Sequence, residues 1–141
     1  MSLVEGKAKR GLDMKKYNNI LVEENLTIYL LVLKITPNLK GYDLIKEGVR
    51  KILQDSSKKH NMSQGLYFEL AEDFGFDIDL VDRAMRNAID VSYKRGGICD
   101  FEKTYNIDFS SPKPTPKELI CILSEKIMLD QNLSKKLSMR A

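Results

Sequence analysis

Between Ala71 and Val81 the chain carries three residues whose spacing fits a helix-turn-helix, although many antiparallel helix pairs could show it. Ala71 is small where two helices would approach closely, and Gly75 follows four residues later, where a tight turn needs a left-handed backbone. Val81 stands ten residues after Ala71, where a branched apolar side chain can wedge between the helices, while Leu70 and Phe74 supply a buried face. The segment before the glycine, Leu66 to Gly75, reads as a short amphipathic helix, and the segment after it, DIDLVDRAMRNAIDVSYKRGG over residues 77–97, reads as a longer one. Two helices separated by about three residues with glycine in the turn have the layout of a helix-turn-helix.

The second helix has two chemically distinct faces. At 100° per residue, Asp79, Arg86, Asn87, Asp90 and Lys94 fall within about 60° of Arg83. Val81, Met85, Ala88 and Ser92 lie opposite, flanked by Ile78 and Ile89, and Leu80 sits at the edge of the polar face. Such a face has a plain alternative use. Asp79–Arg83 and Asp82–Arg86 are both i,i+4 pairs with the acid on the N-terminal side, an order that supports an ordinary solvated helix. Asp77 suits the N-cap, and early acids suit the helix dipole.

The rest of the chain is also helical in pattern. Glu23 to Lys34 places Leu26, Leu30 and Leu33 on one face and ends before Thr36-Pro37. Tyr42 to Gln54 carries Leu44, Ile45, Val49, Ile52 and Leu53 at helical spacing, and Ser56 to Gln64 reads as a polar connection. Cys99 to Tyr105 suggests one or two helical turns, and Ser110 to Pro114 a loop. Thr115-Pro116-Lys117-Glu118 reads as a capping box opening a last helix that runs to about Asp130. Residues 1–19 read as a basic flexible tail or linker and residues 131–141 as a frayed tail, leaving one domain over 20–130. No run alternates for long like a strand, Asn106 to Phe109 coming nearest, so the expected class is all-α.

Composition narrows the chemistry. Of 141 residues, 43% are hydrophobic and 30% charged, as in a globular domain that holds a core without disulfides or metals. The net charge of +3 is unevenly spread: residues 1–16 carry +3, residues 124–141 carry +2, and the middle carries −2. A polyanion would therefore meet a local basic cluster and not a broad basic surface. Cys99, Cys121 and the single His60 have no ligand-like spacing, so neither a zinc site nor a disulfide is expected, and no cofactor. With no histidine–carboxylate set and no glycine-rich phosphate loop, catalysis is not expected either. The apolar run 28–33 is too short for a bilayer and residues 1–20 lack a signal-peptide core, which points to the cytoplasm.

Lys40-Gly-Tyr42, Leu66-Tyr67, Leu70-Ala71, Val81-Asp-Arg-Ala84, Arg86, Ala88-Ile89, Val91, Arg95-Gly96 and Lys113-Pro-Thr115 together resemble the C-terminal DNA-binding effector domain of the stage 0 sporulation protein A family. These are the master response regulators of sporulation in endospore-forming bacteria. The resemblance covers Leu39 to Leu129, with residues 23–38 fitting more loosely. It implies a compact bundle of about six helices around the helix-turn-helix, with the second helix in the major groove of double-stranded DNA. By position, Asp82 and Arg83 match residues that face bases, and Arg86 matches one directed at phosphate. Tyr67, Lys94 and Lys113 complete the candidate interface. Two positions depart: Leu80 stands where the family has arginine, and Asn87 where it has histidine. Loss of an arginine removes a possible bidentate guanine reader, although leucine can touch a thymine methyl. The resemblance thus implies DNA binding without implying that the family's usual box is read unchanged.

The family further implies a contact of residues 96–107 with the RNA polymerase sigma subunit, a segment that matches poorly here, and pairing of neighbouring domains on DNA through 116–129. It also carries an N-terminal receiver domain, for which this chain has no room. The reading is therefore an effector domain or a short paralogue. The alternative is a receiver-less interaction protein that pairs with a full-length relative and does not itself read DNA.

Overall fold

A computed structural model of the protein describes residues 19–140. The tail expected over 1–19 lies outside the described residues except for Asn19, which opens a helix. The order is α1 (residues 19–32), α2 (Lys40–Gln54), a 3₁₀ turn (Ser56–His60), a π turn (Met62–Leu66), α3 (Tyr67–Phe74), α4 (Ile78–Lys94), α5 (Gly97–Tyr105) and α6 (Pro116–Arg140). The described residues contain no strand, so the class is all-α as expected. None of the described helices is long and apolar enough to cross a membrane.

The faces that periodicity selects become the core. Leu26 and Leu30 of α1 with Leu33 just after it, Leu44, Ile45 and Val49 of α2, Val81 and Met85 of α4, and Leu119, Ile120, Leu123 and Ile127 of α6 pack in one buried cluster. Helix α2 lies at its centre, between α4 and α6. It approaches α4 so closely that a Cβ on Gly41 would stand 2.4 Å from the Ala84 carbonyl oxygen and 2.7 Å from the Ala88 Cβ.

Three helix ends share a left-handed closing residue. At Gly75 (φ 68°) the amide of Phe76 reaches back to the Ala71 carbonyl at 3.0 Å, and at Asn106 (φ 54°) Ile107 reaches Glu102 at 3.2 Å. At Lys34 (φ 59°) Ile35 reaches Leu30 at 3.0 Å, so α1 is already closed before Thr36-Pro37. Sequence inspection marks only the glycine, because lysine and asparagine adopt this conformation less readily.

Other differences have local causes. Ser56 to Leu66 is wound into two short turns, the first capped where the Asp55 carboxylate accepts from the Ser57 amide at 3.1 Å. His60 is exposed at the end of the first turn. Asn106 to Phe109 is not a strand: Phe109 is buried against Phe101 with ring centroids 5.8 Å apart, and its amide donates to the Glu102 carboxylate at 2.9 Å. The capping box is half formed. Thr115 Oγ1 accepts from the Glu118 amide at 3.2 Å, but the Glu118 carboxylate turns away to the Ser110 amide and hydroxyl at 3.1 and 2.9 Å. Helix α6 also continues through 131–140, past the end expected near Asp130, with Leu129, Leu133 and Leu137 exposed along it.

Candidate nucleic-acid interface

The helix pair has the geometry that its spacing suggests. Ala71 and Val81 are buried between α3 and α4, and Gly75 takes the left-handed conformation in the turn. Asp77 is the N-cap of α4, its carboxylate accepting from the Leu80 amide at 2.7 Å. An acidic cap with Asp79 in the first turn satisfies free amides and complements the dipole there.

The inner face of α4 is Val81, Ala84, Met85, Ala88, Ile89 and Ser92, all buried. Its last turn is pinned to the end of α1. The Ser92 hydroxyl donates to the Leu33 carbonyl at 2.5 Å. Arg95 donates to the Lys34 carbonyl at 3.0 Å, and the Lys34 ammonium donates to the Arg95 carbonyl at 3.0 Å and pairs with Asp100 at 3.0 Å. Gly97 is packed so tightly there that a Cβ would lie 1.8 Å from the Leu33 carbonyl oxygen.

The outer face presents Asp79, Arg83, Arg86, Asn87 and Lys94 to solvent, with Leu80, Asp82 and Asp90 half-buried. Ile78, expected beside the apolar face, is 39% exposed at the start of the helix. Of the two i,i+4 pairs expected near the N-terminus, one forms: Arg86 Nε to Asp82 at 2.9 Å. Arg83 makes no ion pair with Asp79 or with any other described residue. Using Nε for Asp82 leaves the outer nitrogens of Arg86 free to meet an anion.

Tyr67 is buried beside this face, near Asp82 and Arg86. Its ring is buried at the start of α3, and burial, then the nearby Asp82 carboxylate, pushes its phenol up to about 12. Lys113 comes from the loop before α6, yet it sits beside α4, pairing with Asp90 at 2.8 Å with its ammonium 5.0 Å from the Tyr93 ring centre. Lys94 pairs with the same carboxylate at 2.9 Å. A shallow groove of about 370 Å³ runs between α4 and the start of α6, lined by Arg86, Asn87, Asp90, Lys113 and Thr115 among others.

The structure thus brings Arg83, Arg86, Asn87, Lys94 and Lys113 to one side of the molecule, with Leu80 and Asp82 at its margin. Sequence reasoning places Asp90 on the polar face but not among the candidate contacts. Its pairing with Lys94 is legible as an i,i+4 spacing, but its pairing with Lys113 crosses from helix to loop and has no local signal. Arg95, superficially as suited to DNA as Arg83, is used in the bond to α1.

A family model described as "Sporulation initiation factor Spo0A C terminal" matches residues 27–127 of the 141. The match runs from within α1, through the helix-turn-helix, to the last buried turn of α6 at Ile127. The chain belongs to this family of DNA-binding effector domains of a sporulation response regulator.

Proposed function

We propose that this protein is a sequence-specific transcriptional regulator that lays α4 in the major groove of duplex DNA and performs no catalysis. The observation that carries the reading is Arg83: exposed, at the middle of the outer face, and unpaired with any described acid on a helix otherwise rich in acids. An arginine in a groove can meet guanine O6 and N7 with two parallel hydrogen bonds. Asn87, one turn further on, has the donor–acceptor pair that suits adenine, and Leu80 an apolar surface for a thymine methyl. Asp82 can accept from a cytosine amino group while it orients Arg86 toward a phosphate. Lys94 at the end of the helix and Lys113 beside it would be further phosphate contacts.

Two partner surfaces belong to the same proposal. Residues 96–107, which include α5, would meet the polymerase sigma subunit. Residues 116–129 of α6 would pair neighbouring domains on tandem boxes, a role supported by the exposure of Met128 and Leu129.

Selection from a pool of random duplexes at moderate salt tests the central claim. Enrichment of a short asymmetric box is the expected result. A pool that stays random after several rounds, while the protein remains folded, sinks the reading and leaves the fold to serve a protein partner instead.

A further inference from the structure

Asp90 is an unexpected residue for a surface that meets DNA. It lies on the α4 stripe headed by Arg83, two turns closer to the C-terminus, where a carboxylate facing the phosphate backbone is repelled. It is not left bare. Lys94, from its own helix, and Lys113, from the loop before α6, bind its two oxygens at 2.9 and 2.8 Å. The Lys113 ammonium first, and then that of Lys94, hold the Asp90 carboxyl below the usual carboxylate range, and Asp90 in turn raises Lys113. The Tyr93 ring beneath Lys113 restricts its direction further. The three charges net to a single positive one, with both ammonium groups drawn to one carboxylate beside the outer face.

Given the DNA-binding role proposed above, we infer that Asp90 is a specificity-setting residue that holds Lys94 and Lys113 where they reach phosphates only in the register that also seats Arg83 and Asn87. The physical basis is the difference between the two binding modes. Binding to random sequence is driven by counterion release and grows with every ammonium that can find a phosphate. A lysine on a free four-carbon stem finds one in any register. A lysine tethered to a carboxylate keeps donors for a phosphate, but only where the tether allows. The tether therefore costs random binding more than it costs box binding. Asp90 acts through the two lysines and needs no contact with a base.

The test compares Asp90→Asn with the unaltered chain, using the selected box and a random-sequence duplex across a salt series, with thermal melting to confirm folding. Affinity for the random duplex should rise several-fold, with its log–log salt slope steeper by about 1. Affinity for the box should rise less, so the ratio of the two falls. Asp90→Glu keeps the charge and should keep the ratio. Lys113→Ala in the Asp90→Asn background should cancel part of the gain. Equal gains on both duplexes would reveal a simple charge effect and overturn the inference, as would no gain, or a gain that persists after both lysines are removed. If the unaltered chain retains neither duplex, the DNA-binding reading itself fails first, which is distinguishable from all three.

Discussion

The two ends of α4 carry the same kinds of residue and put them to opposite uses. At the C-terminal end, Ser92, Arg95 and Gly97 lock the helix to the backbone of Leu33 and Lys34. Toward the N-terminal end and middle, Arg83 and Asn87 stand in solvent, and the one ion pair formed by the arginines there is internal to the helix. One end holds and the other presents. A charged side chain is informative about function only once its partners are known: Arg95 has a backbone carbonyl, whereas Arg83 has no described partner.

The largest effect should come from breaking the holding end. Gly97→Ala would put a methyl group inside the Leu33 carbonyl, and should cost roughly 3 kcal/mol or more of folding stability, since backbone on both sides leaves little room to relax. Denaturant unfolding measures it; a loss below about 1 kcal/mol would mean that the α1–α5 contact is looser than described. Next comes the presenting end. Arg83→Ala should leave the unfolding midpoint unchanged and weaken binding to the selected box by roughly 1–3 kcal/mol, read by titration against box and mutated box. Equal loss on both would show that Arg83 meets phosphate and not a base.

Arg95→Ala should invert that pattern, lowering stability by about 1 kcal/mol through its lost hydrogen bonds while leaving box preference intact. A changed preference would place Arg95 at the DNA and collapse the contrast between the ends. The smallest effect concerns Tyr67, the buried residue beside the face. Its phenol titrates near 10 when unfolded and is pushed up to about 12 in the fold. The unfolded chain therefore sheds this proton first, and the contribution is intact below pH 10 and lost as pH rises toward 12. Tyr67→Phe should flatten the fall in stability across that interval relative to the unaltered chain; identical pH profiles would show the hydroxyl to be solvated.

The same contrast explains what could be read without coordinates. The holding face of α4 was legible because burial imposes period: Val81, Met85 and Ala88 must recur, and Ala71, Gly75 and Val81 must keep their distances. The helix pair followed from that, and so did the list of exposed side chains. What those side chains do was less legible. Both i,i+4 pairs had equal claims in sequence, yet only Asp82–Arg86 closes. Exposed pairs differ by tenths of a kcal/mol, too little for spacing to decide. Lys113 and Asp90 meet across a loop whose course depends on Phe109 and Glu118, and Tyr67 is buried by packing that no local pattern encodes. The ends expected at Lys34 and Tyr105 fall close to those found, but nothing in the sequence announced that Lys34 and Asn106 would take the conformation usually left to glycine.

The crossing of α2 over α4 at Gly41 has a consequence for how such a protein can diversify. There the spacing is set by main chain and by the two small residues Ala84 and Ala88, not by long side chains that might repack. The pose of α4 against α2 is thus set by its inner face and not by what its outer face carries. Under the proposed role, residues such as Leu80, Arg83 and Asn87 can be exchanged one at a time, each trial altering the text that is read while the angle of the helix stays constant.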